Sequence, residues 1–361
     1  MSYQVTIILT GVLTAASCAL IGSFLVLRRL SLVGDAISHT VVLGIVLAAL
    51  LTGGITGIPT LIGATVVGVL TVVLVELVTR SGLVKEDAAI GLVFPALFAL
   101  GVLLISRYAS NVHLDVEHVL YGEIAYTPFD TFVVAGWDLG PRALWTLGGI
   151  GLLDLLFVLG FYKELKLATF DSALAAALGL SPAVIHYALM FVVSLTTVGA
   201  FDAVGAVLVV ALLIVPPSTA YLLTDRLAAM LALSVIAGAV SAVGGYALAR
   251  LLDASIAGSM ATATGALFAL AFLFSPRHGL VTRQLRAAQQ RRRFAVDLLL
   301  EHLRRSERET QADIEEEFGW SSGQARRVIR DATRRGLLNP AGDRLSLTEA
   351  GRSAAASAGR I

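Results

Sequence analysis

Leu27-Arg28-Arg29-Leu30-Ser31-Leu32-Val33-Gly34-Asp35-Ala36-Ile37-Ser38-His39-Thr40-Val41-Val42-Leu43-Gly44 decides how the chain is read. Arg28 and Arg29 close one apolar run, and the next run opens with an aspartate and a histidine four positions apart. Residues at i and i+4 share one face of a helix, about one turn apart. A carboxylate and an imidazole so placed make a ligand pair for a divalent cation, and a carboxylate inside an apolar segment costs about 2.5–3.5 kcal/mol to insert. The spacing alone also fits a second reading, in which Asp35 caps the helix near the membrane interface and His39 makes a structural hydrogen bond.

The runs on either side belong to a membrane protein. Hydrophobic residues make up 57% of the 361 positions and charged residues only 15%, where soluble domains carry roughly 25% charged residues. The charge is unevenly spread. Residues 1–276 hold 10 Lys/Arg against 15 Asp/Glu, a net of −5, and residues 277–361 hold 17 against 11, a net of +6. A greasy, slightly acidic body followed by a basic tail predicts a membrane domain and a soluble domain. Cys18 is the single cysteine, so neither a disulfide framework nor a thiolate metal site is expected. The first run has no basic leader or small-residue cleavage site, and is expected to be a permanent span.

Apolar runs long enough for a helical span lie at 5–27, 33–51, 59–79, 87–106, 142–162, 183–200, 203–224, 227–250 and 256–275. They predict an all-α polytopic membrane protein with eight or nine transmembrane helices; the two runs flanking Asp202 are short enough for a bent or re-entrant pair. Pro216-Pro217 is expected to kink its span and free backbone carbonyls. With the N-terminus outside, the inner loops carry Arg28, Arg29, Arg80, Lys85, Lys163, Lys166, Arg226 and the basic tail. The outer loops keep Arg107, Arg142 and Arg250. The positive-inside rule therefore selects an external N-terminus and a cytoplasmic C-terminus.

On that orientation, residues 107–141 form an outer loop with His113, Asp115, Glu117, His118, Glu123, Asp130 and Asp138. It is read as a hydrated loop, or as a surface that guides cations or docks a delivery protein. The inner loop 163–182 holds a short helix at Ser172–Leu178, capped by Asp171, ended by Gly179 and followed by Ser181-Pro182 at the start of the next span. Such a helix suits receipt of motion from a motor subunit. Of the other ionisable residues within spans, Glu76 is paired with Arg80, Asp154 has a packing or a pathway role, His186 is read as structural, and Asp202 is a weaker candidate for an outer gate.

Past Pro276 the pattern is soluble. Residues 277–293 read as a basic juxtamembrane segment beside anionic lipid. Residues 294–361 read as a winged helix-turn-helix, with helices at 294–305, 310–318 and 322–335 and a strand at 343–348. Arg326, Arg327, Arg330, Arg334 and Arg335 cluster on its third helix, a pattern for DNA contact or for docking on the transporter.

The sequence has no G-x-x-x-x-G-K-[ST] loop, so ATP-driven transport needs a separate ATPase subunit. Several motifs are familiar together. Arg28 to His39, Val119-Leu-Tyr-Gly122-Glu, Phe170 to Gly179 and Val204 to Pro216 resemble the manganese/zinc/iron permease family of ABC importers, over roughly residues 5–276. The resemblance implies a type II importer-like permease in a bacterial inner membrane. It also implies a second permease subunit, cytosolic ATPases and an extracytoplasmic metal-binding protein. No permanently bound cofactor is implied, and Mn2+, Zn2+ or Fe2+ is substrate. Asp35 and His39 would line the metal path, and Phe170, Asp171, Ala175, Leu178 and Gly179 would belong to the coupling helix. The tail resembles the winged-helix domain of iron- and manganese-dependent repressors, without their metal-binding and dimerisation parts. Two other functions compete: a gradient-driven secondary metal transporter, which would work without an ATPase, and a membrane-tethered winged-helix regulator, whose tail alone would bind an operator.

Overall fold

The computed structural model describes residues 2–52, 58–108, 124–134, 137–276, 279–306, 309–341 and 344–358. The chain divides into two compact units, Met1–His278 and Gly279–Ile361.

Among the described residues of the first unit, nine helices are long and apolar enough to cross a membrane. They are α1 (Tyr3–Leu27), α2 (Ser31–Thr52), α3 (Ile58–Arg80), α4 (Glu86–Tyr108), α5 (Arg142–Gly160), α8 (Pro182–Val204), α9 (Ala206–Leu223), α10 (Leu227–Leu252) and α11 (Ile256–Phe274). Two short helices, α6 (Tyr162–Phe170) and α7 (Ser172–Ala177), lie between α5 and α8. The runs flanking Asp202 form two full-length helices joined at Gly205. The expected loop before Arg142 contains an antiparallel hairpin, β1 (Thr131–Val134) with β2 (Trp137–Pro141). Its short strands carry no regular apolar alternation, so no period-2 signal announced it.

Helix α1 is the hub, packed against α5, α8, α9 and α10, while α2, α3 and α4 form a second group. Helix α8 touches α1, α2, α3 and α5 and so joins the two groups. Close approach at the hub depends on Gly22. Pro217 has no N–H to give the carbonyl of Leu213 four residues back, and Gly22 packs directly against that carbonyl, where a Cβ would overlap it. Both prolines sit inside the continuous helix α9. The freed acceptor is thus tolerated because a neighbouring helix lies over it.

The ends of the bundle differ in character. At one end the Tyr3 ring meets Phe129 edge-on, with centroids 4.6 Å apart, and the Trp145 indole N–H donates to the carbonyl of Leu139 at 3.0 Å. At the other, where α1 finishes, Arg28 reaches Thr169 at the end of α6. Arg29 turns the corner into α2 with a φ of +62°, which L side chains rarely adopt. The amides of Arg29 and Leu30 bond back to the carbonyls of Val26 and Leu25 at 3.1 and 2.9 Å, closing a Schellman-type end without a glycine.

In the second unit, α12 (Leu280–Arg305) is followed by β3 (Glu309–Thr310), α13 (Gln311–Phe318), α14 (Ser322–Arg334), β4 (Leu338–Ala341), β5 (Arg344–Leu347) and α15 (Glu349–Ala358). The strands pair antiparallel in the order β3-β5-β4. A boundary expected at 293/294 falls inside α12, because no glycine or proline interrupts the chain between Gly279 and Arg305. Val296, Leu299, Leu300 and Leu303 of α12 make a core with Ile314, Val328, Leu338 and Leu345. Thr310 opens α13 with a reciprocal capping box to Asp313.

Candidate functional site

Asp35 and His39 lie in the first two turns of α2, whose packed face carries Ala36, Ile37, Ser38 and Thr40. The pair is on the other side, about one-third exposed at His39 and two-fifths at Asp35. His39 Nε2 is 3.6 Å from Asp35 Oδ1, too long for a hydrogen bond and short enough for both atoms to address one ion. The His39 ring is oriented by α4. It stacks on Phe94, with centroids 5.6 Å apart and planes at 27°, and meets the edge of Phe98 at 6.2 Å. Phe94 and Phe98 sit one helical turn apart, but nothing in the sequence shows which helix they face. Among the described residues, no cluster of three or more His, Cys, Asp or Glu forms a metal cage. The pair thus offers two ligands and leaves other positions open.

The short helix expected in the inner loop is α7. The Asp171 carboxylate accepts from the backbone N–H of Leu174 at 2.9 Å, and Ser181 caps α8 ahead of Pro182. Gly179, with a φ of +83°, ends the element in a conformation that glycine adopts without penalty. Ala175 is buried beneath it, while Phe170, Leu174 and Leu178 are exposed at 62%, 46% and 65%. The three apolar side chains lie at the end of α6, within α7 and just past it.

Sequence reasoning missed the link between these two features. Arg28 Nε donates to Thr169 Oγ1 at 3.1 Å, across 141 residues of chain. The residue before Phe170 is therefore tied to the corner from which α2 and its Asp35/His39 pair begin. Arg28 Nη2 is buried there, with no hydrogen-bond partner among the described residues. No local pattern pairs an arginine with a threonine so far along the chain.

The remaining ionisable residues differ in their surroundings. Glu76 pairs with Arg80, as the spacing suggested, and also accepts from the Tyr187 hydroxyl on α8. His186 lies edge-on to Tyr187, with centroids 5.4 Å apart. Asp154 is fully buried, and the Thr196 hydroxyl lies 2.9 and 3.0 Å from its two oxygens. That hydroxyl is also 2.8 Å from the carbonyl of Val192, so its single proton cannot satisfy all three oxygens at once. Asp202 is exposed near the Gly205 junction. In the hairpin, Asp138 accepts from the N–H of Gly140 at 2.9 Å. His113, Asp115, Glu117, His118, Glu123 and the Val119–Glu123 motif lie outside the described residues. On α14, Arg326, Arg327, Arg330 and Arg334 are all exposed.

Comparison with known proteins follows the same division. The model of the ABC 3 transport family matches residues 2–275. The chain is 54% identical over 286 residues to the manganese transport system membrane protein MntD of Bacillus subtilis, covering 79% of this chain and 97% of that one. It is 48% identical over 358 residues to the zinc transport system membrane protein TroD of Treponema pallidum, covering 97% of both, tail included. Among solved structures it is similar to PsaBC from Streptococcus pneumoniae in complex with Fab, with a TM-score of 0.65 and 30% identity over 77% of this chain and 94% of that one. The apolar helices and these matches agree: the chain belongs to the ABC 3 transport family of membrane permeases.

Proposed function

We propose that the chain is the permease subunit of an ATP-driven importer of a divalent transition metal, Mn2+ or Zn2+, with Fe2+ as a further candidate. The observation that carries this reading is the Asp35–His39 pair on α2, seven residues past a corner that Arg28 ties to Thr169. Imidazole with carboxylate suits Mn, Fe and Zn. Two ligands do not fill the four to six positions of such an ion, so water or a second permease subunit completes the shell. The relatives' names divide among manganese, zinc and iron.

In this mechanism the Arg28 end of the bundle is cytoplasmic and the hairpin end is external. A binding protein delivers the ion at the hairpin end. The exposed Phe170, Leu174 and Leu178 seat in a groove of the ATPase, and Asp171 and Gly179 hold that element in shape. ATP-driven displacement of the element passes through Thr169 and Arg28 to the start of α2, where it moves Asp35 and His39 relative to Phe94 and Phe98. The basic face counts above support this orientation. The tail is read as a cytoplasmic winged helix-turn-helix, supported by its helix order and its three-stranded β3-β5-β4 sheet.

Reconstitution with ATPase and binding protein in proteoliposomes tests the reading across Mn, Zn and Fe. Asp35→Ala and His39→Ala should each reduce uptake by about a hundredfold while the complex still assembles, one lost ligand being worth several kcal/mol. Normal uptake by both variants, or uptake by the permease without any ATPase, would overturn it.

A further inference from the structure

The tail contains a feature outside the metal path proposed above. A recess of about 340 Å³ lies between the first half of α12 and the outward face of α14. Arg291 and Arg292 form one wall, Arg327, Arg330 and Arg334 the other, and Ala295 and Val328 give it an apolar floor. Five guanidinium groups around one small cavity repel one another unless an anion sits among them.

Among the described residues, the chain does not supply that anion. The acid in the recess, Asp331, is already paired with Arg335 at 2.7 Å. Farther along the tail, Arg304 and Arg305 both bind Glu301, at 2.9 and 3.1 Å. Among the described residues, none of the five recess arginines is in an ion pair. Arg327 is held in place, its Nε donating to the carbonyl of Gly323 at 3.0 Å. Five such guanidinium groups around one recess suit it to an external polyanion.

We propose that this recess binds a nucleoside polyphosphate, with the phosphates on the arginine walls and the base on the Ala295–Val328 floor beside the Gln324 amide. Arginine forks match phosphate oxygens in pairs, and a cavity of this volume falls in the range of small-molecule sites. The shape argues against duplex DNA, which takes a protruding helix into its groove. Here Arg291 and Arg292 flank α14 and turn that face into a hollow. A bilayer surface likewise needs no hollow.

The test uses the full-length chain in detergent micelles, without ATPase subunits, titrated with ATP by calorimetry. One ATP per chain is expected, weakening with added salt. Arg330→Gln with Arg334→Gln should lower affinity by at least about a hundredfold, roughly tenfold for each charged hydrogen bond lost. Arg283→Gln, outside the recess, should leave affinity within about twofold. Circular dichroism and Trp320 fluorescence of the variants should match the parent, since these side chains are exposed. Inorganic tripolyphosphate should compete, but more weakly than ATP. Absence of saturable ATP binding, or unchanged affinity in the double variant, would overturn the proposal. Equal binding of tripolyphosphate would replace the nucleotide with a free polyphosphate, and displacement of ATP by phosphatidylglycerol vesicles would replace it with a lipid headgroup. Tighter binding of a short DNA duplex than of ATP would make the face a nucleic-acid site.

Discussion

Thr169→Val offers a sharp test of how motion reaches the metal pair. Valine keeps the volume of threonine and removes only the oxygen that Arg28 Nε addresses at 3.1 Å. Hydrogen bonds to charged groups are worth about 1.5–3 kcal/mol. This one is part-buried, and water can reach it, so the lower end of that range applies. If the bond transmits displacement, its loss removes about 1.4 kcal/mol of coupling, or tenfold. Uptake and ATP hydrolysis would be followed together in proteoliposomes containing the whole complex. Metal moved per ATP hydrolysed is expected to fall about tenfold, with hydrolysis itself within about twofold of the parent. Arg28→Lys, which keeps the charge but loses the guanidinium fork, should fall between the two. An unchanged ratio in Thr169→Val would refute the coupling route. A parallel loss of uptake and hydrolysis would show that the contact only holds the fold.

Other expectations concern packing and charge. Gly22→Ala places a methyl on the Leu213 carbonyl, which backbone on both sides keeps from yielding, so thermal stability in detergent should drop by about 1–3 kcal/mol; an unaltered melting temperature would show that α1 and α9 separate freely. Asp154→Asn keeps an acceptor for Thr196 and removes a carboxylate with no cationic partner among the described residues, so stability and uptake should be retained, whereas Asp154→Ala should cost about 1–3 kcal/mol. Loss of uptake in a well-folded Asp154→Asn protein would instead place this carboxyl on the transport route. In the tail, Arg304 and Arg305 hold the Glu301 carboxyl down at about 2, and Thr310 holds that of Asp313 below the usual carboxylate range. Depressed folded-state values stabilise the fold at pH above the unfolded values near 4, and that contribution disappears as pH falls towards 2. Trp320 fluorescence, in a chain with Trp137→Phe and Trp145→Phe, should therefore report loosening between about pH 4 and 2, at higher pH in Glu301→Gln; a flat signal across that window would contradict the assignment.

Much of this was legible without coordinates because membrane insertion writes itself into composition. A span must satisfy its own backbone and face lipid, so the nine apolar runs, read as eight or nine spans, correspond to nine apolar helices among the described residues, with ends displaced by only a few residues. Asp171, Gly179, Ser181 and Pro182 act within their own turns, and their roles followed from local chemistry. The i, i+4 spacing likewise placed Asp35 and His39 on one face, though it left open whether they served an ion or the helix end.

What lay beyond the sequence was every relation between distant turns. That Phe94 and Phe98 pin the His39 ring, that Thr196 answers Asp154 and that Tyr187 joins Glu76 depends on which helix faces which. Residues far apart in the chain carry no periodic mark of their partners, because apolar helices in a bilayer are chemically alike on most faces. Gly22 shows the point: as a residue it is one glycine among 34, and only the Leu213 carbonyl lying against it makes it indispensable. The arginines of α14 were evident as a cluster, but their hollow exists because α12 continues unbroken past Arg291 and Arg292. Sequence alone determined the helices, their polarity and the chemistry available at Asp35 and His39. Tertiary packing decided which of those groups meet, since contact energies are set by distances that no local pattern encodes.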